Sequence, residues 1–258
     1  MPLRTGRTVW VRPATAEDGR SVVGLVTADR LPMLTVRWSP PHVDAELREA
    51  LRQEAGTAVL VVHDGSGQVL GAMALNRVLA AGGRTAEVAW LHCREDPGTA
   101  AVLVQALRER SAGLDLVSAF GRPTAWPPHI PGLPLHHRPV TTDAFTTAGF
   151  RPRHQWLLLH RGAAGSGSGA AGDRPARALR WITPDGALHT GRALPLPRPS
   201  ADLGRHLLGR SLEALDRADE YEAVATVDLL APDASARCDT LTRAGFEEVD
   251  LLRSFVLA

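Results

Sequence analysis

Residues 141–160 read TTDAFTTAGFRPRHQWLLLH, and residues 235–257 read SARCDTLTRAGFEEVDLLRSFVL. Each stretch is a short helical run, then Ala-Gly-Phe, then an apolar run of strand type. Gly149 and Gly245 suit the left-handed position just past a helix end, where a residue without a Cβ is least costly. Phe150 and Phe246 then fold back onto the last helical turn. Strand, helix and strand precede both stretches, so the pair predicts an internal repeat, and a repeat constrains the architecture before any residue chemistry.

Working outward, residues 162–176 (GAAGSGSGAAGDRPA) form the clearest boundary. So small and polar a run cannot bury enough apolar area to offset its ordering entropy. It reads as a linker between an N-terminal unit, 1–161, and a C-terminal unit, 177–258. The first unit opens with a strand at 8–14. Thr15 is its helix N-cap, with Asp18 as capping-box partner. A second helix is expected at 43–55, a hairpin at 57–78 turning on Asp64-Gly65-Ser66-Gly67, a strand at 85–93, a helix at 98–112 and a strand at 114–120. The second unit repeats hairpin (178–196), helix (200–220), strand (223–230) and Ala-Gly-Phe, but lacks a first strand and two helices.

Composition bounds the function. The chain has 258 residues, 44% of them hydrophobic, and a net charge of +1, which gives no general footprint for a nucleic-acid polyanion. All 29 basic residues are arginine. The absence of lysine excludes a Schiff-base lysine and a lysine-bearing phosphate loop. Cys93 and Cys238 alone make neither a disulfide framework nor a zinc site, and no metal is expected. The first residues lack an apolar signal core, and no run of 18 apolar residues occurs, so a soluble cytoplasmic protein is expected.

The order of elements resembles the GNAT N-acyltransferase superfamily. VRPATAEDG at 11–19 is similar to that family's first strand and helix start. DGSGQVLGAMAL at 64–75 resembles its second and third strands, and the Ala-Gly-Phe units resemble its last helix–strand pair. PGLPLHHRPVTTDAFTTAGF at 131–150 resembles a segment of some tandem members. The resemblance implies an α+β fold of two GNAT-like units, each a mixed, mostly antiparallel sheet flanked by helices, the second abbreviated. It also implies acetyl-CoA or another acyl-CoA as co-substrate.

The family motif, Gln/Arg-x-x-Gly-x-Gly/Ala, opens the third helix, where bare backbone amides meet the pyrophosphate of coenzyme A. Its counterpart in the first unit is Glu95-Asp96-Pro97-Gly98-Thr99-Ala100. Gly98 and Ala100 match. Glu95 departs from the pattern, and Glu95 and Asp96 would repel phosphate; Arg94 is the adjacent cation. In the second unit only Gly204 matches, beside Arg205. Each run also reads as an ordinary capped helix. The resemblance implies donor binding along Leu91–Cys93, Arg94 and Gly98-Thr99-Ala100.

Acyl transfer needs a base for the ammonium proton, amides for the oxyanion and an acid for the thiolate. Glu87 stands on the strand before the motif, where many members place the base; His92 on the same strand is the other candidate. The family's tyrosine acid is replaced by Phe145 in one unit and Leu241 in the other. The proline-rich loop GRPTAWPPHIPGLPLHHRP (121–139), with Trp126, His136 and His137, reads as a substrate wall or a packed connector.

Three functions fit. The first is an acyl-CoA-dependent N-acyltransferase acting on the amine of a small molecule. The second is a catalytically degenerate GNAT-like binding or scaffold protein. The third is a different reaction on the same fold, such as tRNA-dependent aminoacyl transfer.

Overall fold

The computed structural model describes residues 8–34, 57–80, 83–121, 131–162, 178–182, 188–189, 201–216 and 221–257. The helix expected at 43–55, nearly all of the 162–176 linker, and Trp126 lie outside the described residues.

Alternating apolar residues build a meander of β1 (Val9–Pro13), β2 (Thr57–Asp64), β3 (Val69–Ala80) and β4 (Gly83–His92), each antiparallel to the next. The β2–β3 turn closes where expected. Asp64 accepts the Ser66 and Gln68 amides at 2.9 and 3.0 Å. Thr15 and Asp18 also act as read. The Asp18 carboxylate takes the Thr15 N–H at 2.7 Å and a bidentate pair of bonds from Arg12, and a short 3₁₀ turn leads into α1 (Gly19–Ala28).

Next come α2 (Pro97–Arg110), β5 (Leu116–Ala119), the two-residue β6 (Leu133–Pro134), α3 (Pro139–Thr147) and β7 (Arg151–Arg161). Then follow β8 (Ala178–Ile182), β9 (Leu188–His189), α4 (Ala201–Asp216), β10 (Tyr221–Asp228), α5 (Ala234–Arg243) and β11 (Glu247–Leu257). Both Ala-Gly-Phe units form the expected helix ends. Gly149 has φ 89° and Gly245 φ 84°. The amides of Phe150 and Phe246 bond back to the carbonyls of Phe145 and Leu241 at 3.0 and 3.1 Å. Phe145 and Leu241, at the positions of the family's tyrosine, are core fillers: Phe145 meets Phe150 edge-on at 4.9 Å and Phe120 at 5.2 Å. Burying a side chain of this size stabilises by about 1.5–3 kcal/mol.

All the described strands join one mixed sheet, in the order β1-β2-β3-β4-β5-β11-β7-β10-β8-β9, with β6 also pairing β11. The fold is thus α+β. The β4–β5 and β8–β10 pairs are parallel. The centre of the sheet has a particular connectivity. β7 does not lie beside β5; β11, from the chain's far end, enters between them, and β7 pairs with β10 on its other side. Each Ala-Gly-Phe strand therefore completes the sheet of the other half. One face carries α2 and α3 over Met73, Leu75, Val88 and Phe255, and α4 and α5 over Leu159, Ala225 and Phe246. The opposite face carries α1 over Val61, Ala74 and Trp90, and Leu31 and Leu34 over Trp156, Leu158 and Leu252. Among the described residues no helix is long and apolar enough to cross a membrane.

Candidate functional site

Beyond Val88, β4 runs on to His92 while β5 ends at Ala119, so the two parallel strands part. The candidate site lies at that parting. The β3–β4 ladder slips there: Leu75 faces Val88, but Ala74 faces Trp90, leaving Ala89 as an extra residue. Such a bulge inverts the alternation of side chains. Ala86 and Val88 pack beneath α2 before it, and Leu91 and Cys93 do so after it. Glu87, Trp90 and His92 accordingly share the α1 face, although Glu87 and His92 are an odd number of residues apart. Their separation along the strand is roughly 15 Å, at about 3.3 Å per residue, so no single proton reaches both directly.

Glu87 is buried at 9% exposure, and its Oε1 lies 3.3 Å from where a Cβ on Gly121 would sit. Glycine at 121 makes room for that carboxylate. His92 is also buried, 5.7 Å from the Trp90 ring and with Nδ1 3.4 Å from Asp29 Oδ2. Burial, reinforced by Arg138, pushes the imidazole below its ordinary value against the pull of Asp29. It is held neutral.

Past His92 the backbone turns sharply. Arg94 and Glu95 both have φ 52°, the left-handed region, which costs a non-glycine residue about 1–3 kcal/mol. What holds them there is a buried polar network that the sequence reading did not foresee. Asp29, the C-cap of α1, accepts the Cys93 amide at 2.9 Å and the Arg94 amide at 3.2 Å. Arg138, 5% exposed, lies with Nη2 3.3 Å from Asp29 Oδ2 and donates to Leu91 O at 3.1 Å and, through Nε, to Glu95 at 2.6 Å. Glu95 also accepts the Val140 and Thr141 amides at 2.7 and 3.1 Å, together with the Thr141 hydroxyl. It caps α3 from a distance, as a carboxylate at the positive end of a helix. Burial alone would raise the Asp29 carboxyl, but His92, Arg138 and the Cys93 amide outweigh it and hold the group below the usual range. Burial likewise opposes the Arg138 charge, and Asp29 and Glu95 more than restore it.

Glu95 and Asp96, the two acids expected to repel phosphate, are both engaged by the protein's own groups. Glu95 is turned to α3, and Asp96 is the N-cap of α2, accepting the Thr99 amide at 2.8 Å and its hydroxyl at 2.7 Å. Pro97 has no N–H, and the Ala100 amide bonds to Asp96 O. The Gly98 N–H is thus the amide of this first turn left for a ligand. Over it opens a cleft of about 380 Å³, lined by Val9, Gln68, Leu70, Cys93, Arg94 and Gly98, among others.

The structure thus brings Leu91, His92, Cys93, Arg94, Gly98, Thr99 and Ala100 to one end of β4, with Glu87 farther down the strand. His136 and His137 lie on another group, Asp250 of β11. Gly204 and Arg205 fall in the first turns of α4, in the other half of the sheet. Cys93 is buried, its thiol pushed up by burial and 3.6 Å from the Thr141 hydroxyl. Asp29, Arg138 and Thr141 were not legible as a group, because Asp29 lies 65 residues from the Arg94 amide it accepts and far from Arg138 along the chain, and Glu95 lies 43 residues from Arg138 and 46 from Thr141. One signal existed: an acid at the C-terminal end of α1 opposes the helix dipole and so needs another partner. Among the described residues no group of three His, Cys, Asp or Glu is placed to hold a metal ion.

No protein-family profile matches the chain, and no curated protein matches it. Solved structures do. One is the GCN5-related glucosamine N-acetyltransferase region of a fungal multi-domain GH3 β-N-acetylglucosaminidase. It is 12% identical with TM-score 0.57, covering 97% of this chain and 38% of that longer one. A second is a protein described as an acetyltransferase from Pyrococcus horikoshii, 10% identical with TM-score 0.58, covering 97% and 89% of the two chains. A third is a GCN5-related N-acetyltransferase from Sphaerobacter thermophilus, 12% identical with TM-score 0.52, covering 96% and 95%. At such identities the likeness is one of fold: the chain folds as the GCN5-related N-acetyltransferases do.

Proposed function

We propose that the protein is an acyl-CoA-dependent N-acyltransferase that moves an acetyl or other acyl group to the amine of a small molecule. The observation that carries this reading is the bulge at Ala89. It gathers Glu87, Trp90 and His92 on one face where β4 leaves β5, while the strand's end opens into a cleft over a helix N-terminus. The cleft volume is within the range of small-molecule sites. The Gly98 N–H and the Arg94 guanidinium are its anion-binding groups. Glu87 or His92 takes the proton of the attacking amine, and the thiolate leaves protonated by water, since Phe145 and Leu241 offer no acid. The chain divides into units 1–161 and 177–258, with Gly204 and Arg205 as a second, degenerate cradle and His136 and His137 walling the acceptor.

The fit to coenzyme A is partial. Two of the chain's own carboxylates already occupy amides at the donor site: Asp29 on Cys93 and Arg94, and Asp96 on Thr99. Arg138 holds the Leu91 carbonyl. A donor lying along Leu91–Cys93 has to displace Asp29. These self-contacts favour a second reading, a catalytically degenerate binding module of the same fold.

Calorimetric titration with coenzyme A and acetyl-CoA separates the two. Micromolar binding at one site, abolished by Gly98→Glu, supports the acyltransferase. Unchanged binding by that variant removes the assigned cleft, and absence of any binding leaves the second reading.

A further inference from the structure

Helix α1 ends at Ala28, and residues 29–34 after it cross from one half of the sheet to the other. The first of them, Asp29, lies on the end of β4. The last, Leu34, turns back on Leu31, its amide bonding to Leu31 O at 3.1 Å. Leu31 and Leu34 are 3% and 1% exposed, in a cluster with Trp156, Leu158, Trp181, Val224 and Leu252 of β7, β8, β10 and β11. The segment is a strap fastened at both ends, by polar contacts at β4 and by apolar ones on the far strands.

At the polar end four groups converge on one oxygen, Asp29 Oδ2. The Cys93 amide stands at 2.9 Å, the Arg94 amide at 3.2 Å, Arg138 Nη2 at 3.3 Å and His92 Nδ1 at 3.4 Å. Consecutive amides in such a turn, with Arg94 at φ 52°, form an anion-binding concavity. Here the protein's own carboxylate fills it. Cys93, Arg94 and Leu25 all line the cleft over Gly98, and the Leu25 carbonyl accepts the Asp29 amide at 3.0 Å. Asp29 thus joins two segments of the cleft wall and takes the amides of one of them. Its own helix opposes that seat, since a carboxylate at a helix C-terminus meets the negative end of the dipole.

The apolar end limits where Asp29 can go. Leu31 is two residues farther on, a reach of at most about 7 Å, so burial of that leucine on the far strands keeps the carboxylate near β4. A change at either end of so short a strap is felt at the other.

We propose that residues 29–34 are an autoinhibitory strap: Asp29 fills the anion seat at the cleft, and the far half of the sheet holds it there through Leu31 and Leu34. This rests on the acyltransferase reading and concerns its donor. A donor oxygen and Asp29 Oδ2 compete for the Cys93 and Arg94 amides, so one excludes the other. The apparent affinity for coenzyme A is then the intrinsic affinity reduced by the fraction of molecules with the strap lifted. The second unit acts on the cleft in this way, since it supplies Trp181, Val224 and Leu252 to the anchor although none of them lines the cleft.

The test is calorimetric titration of the full chain with coenzyme A. Asp29→Ala empties the seat and is expected to lower Kd by about 5–150-fold, the span of such couplings. Leu34→Ala weakens the anchor and is expected to lower Kd as well. It changes no charge, so repulsion between Asp29 and an anionic donor does not explain a gain there. The double variant is expected to bind no tighter than Asp29→Ala, because an empty seat leaves the anchor nothing to hold. Binding by the variants where the parent shows none also supports the strap. Binding by Asp29→Ala equal to or weaker than the parent's overturns the proposal and leaves the acyltransferase reading intact. A gain in Asp29→Ala with none in Leu34→Ala overturns it too, leaving a plain charge effect. Binding by neither the parent nor any variant overturns both readings. Should Asp29→Ala fail to fold, Asp29→Asn decides: its neutral oxygen is the weaker acceptor, so Kd falls by a smaller factor, and an unchanged Kd refutes the proposal.

Discussion

Arg138 is the residue on which the site's electrostatics turn, and Arg138→Met tests that directly. Methionine approximates the length of the side chain and removes its charge and donors. The variant loses the 2.6 Å bond to Glu95, the 3.1 Å bonds to Leu91 O and the Thr141 hydroxyl, and the 3.3 Å approach to Asp29. Asp29 keeps the Cys93 and Arg94 amides, and Glu95 keeps the α3 amides, so neither carboxylate is stripped bare. The Asp29 side chain, however, is only 3% exposed. Removing one partner of a buried ion pair costs about 3–5 kcal/mol. For a chain of this size that is a fall in Tm of about 6–20 °C, at roughly 2–4 °C per kcal/mol.

Urea unfolding followed by tryptophan fluorescence at pH 7 reads the difference, and a pH series checks its cause. Asp29 is held below its unfolded value in the parent, so its stabilisation is present above that value and is lost as pH falls through the lower, folded one. Arg138→Met raises the folded value, so the gap between parent and variant should narrow toward pH 4 and below. A loss under about 1 kcal/mol at pH 7, or a gap that does not depend on pH, would refute the buried-network reasoning.

Three further outcomes are expected. A Cβ on Gly71 would stand 2.4 Å from Thr99 Cγ2 and 3.1 Å from Leu103 Cδ1, so Gly71→Ala should destabilise by about 1–3 kcal/mol. Adding Thr99→Ser, which deletes the methyl but keeps the hydroxyl on Asp96, should recover most of that in thermal melts. Because β7 and β11 cross to the opposite halves, fragments 1–161 and 177–258 should each lack a cooperative melt alone and regain one when co-expressed; a cooperative melt of either alone would contradict the exchange. Finally, Asp18, Asp29 and Asp250 are all held below the ordinary carboxyl range. Their stabilisation is present above about pH 3.9, the unfolded value, and is lost as pH falls through their lower folded values, so acid unfolding should begin below about pH 4 and be shallower in Asp250→Asn.

The sequence by itself determined what depends on near neighbours. Gly149 and Gly245 take the left-handed turn because nothing else is cheap there, and Thr15 with Asp18, Asp64 with its turn, and the strand and helix runs are likewise set within a few residues. The α+β class and the likeness to an acyltransferase fold follow from the order of those elements. Tertiary structure alone decided what depends on distant ones. Pairing energy does not record which half a strand came from, so β11 could enter between β5 and β7, and no periodicity announces that. The bulge at Ala89, which puts Glu87 and His92 on one face, belongs to a ladder of two strands and not to either sequence. Glu95 read as an acid spoiling a phosphate cradle until its carboxylate was seen on α3, 45 residues on. Asp29, Arg138 and Asp250 draw their meaning from burial. A charge taken out of water must find its partner wherever the fold brings one, and that partner is fixed by packing, not by spacing along the chain.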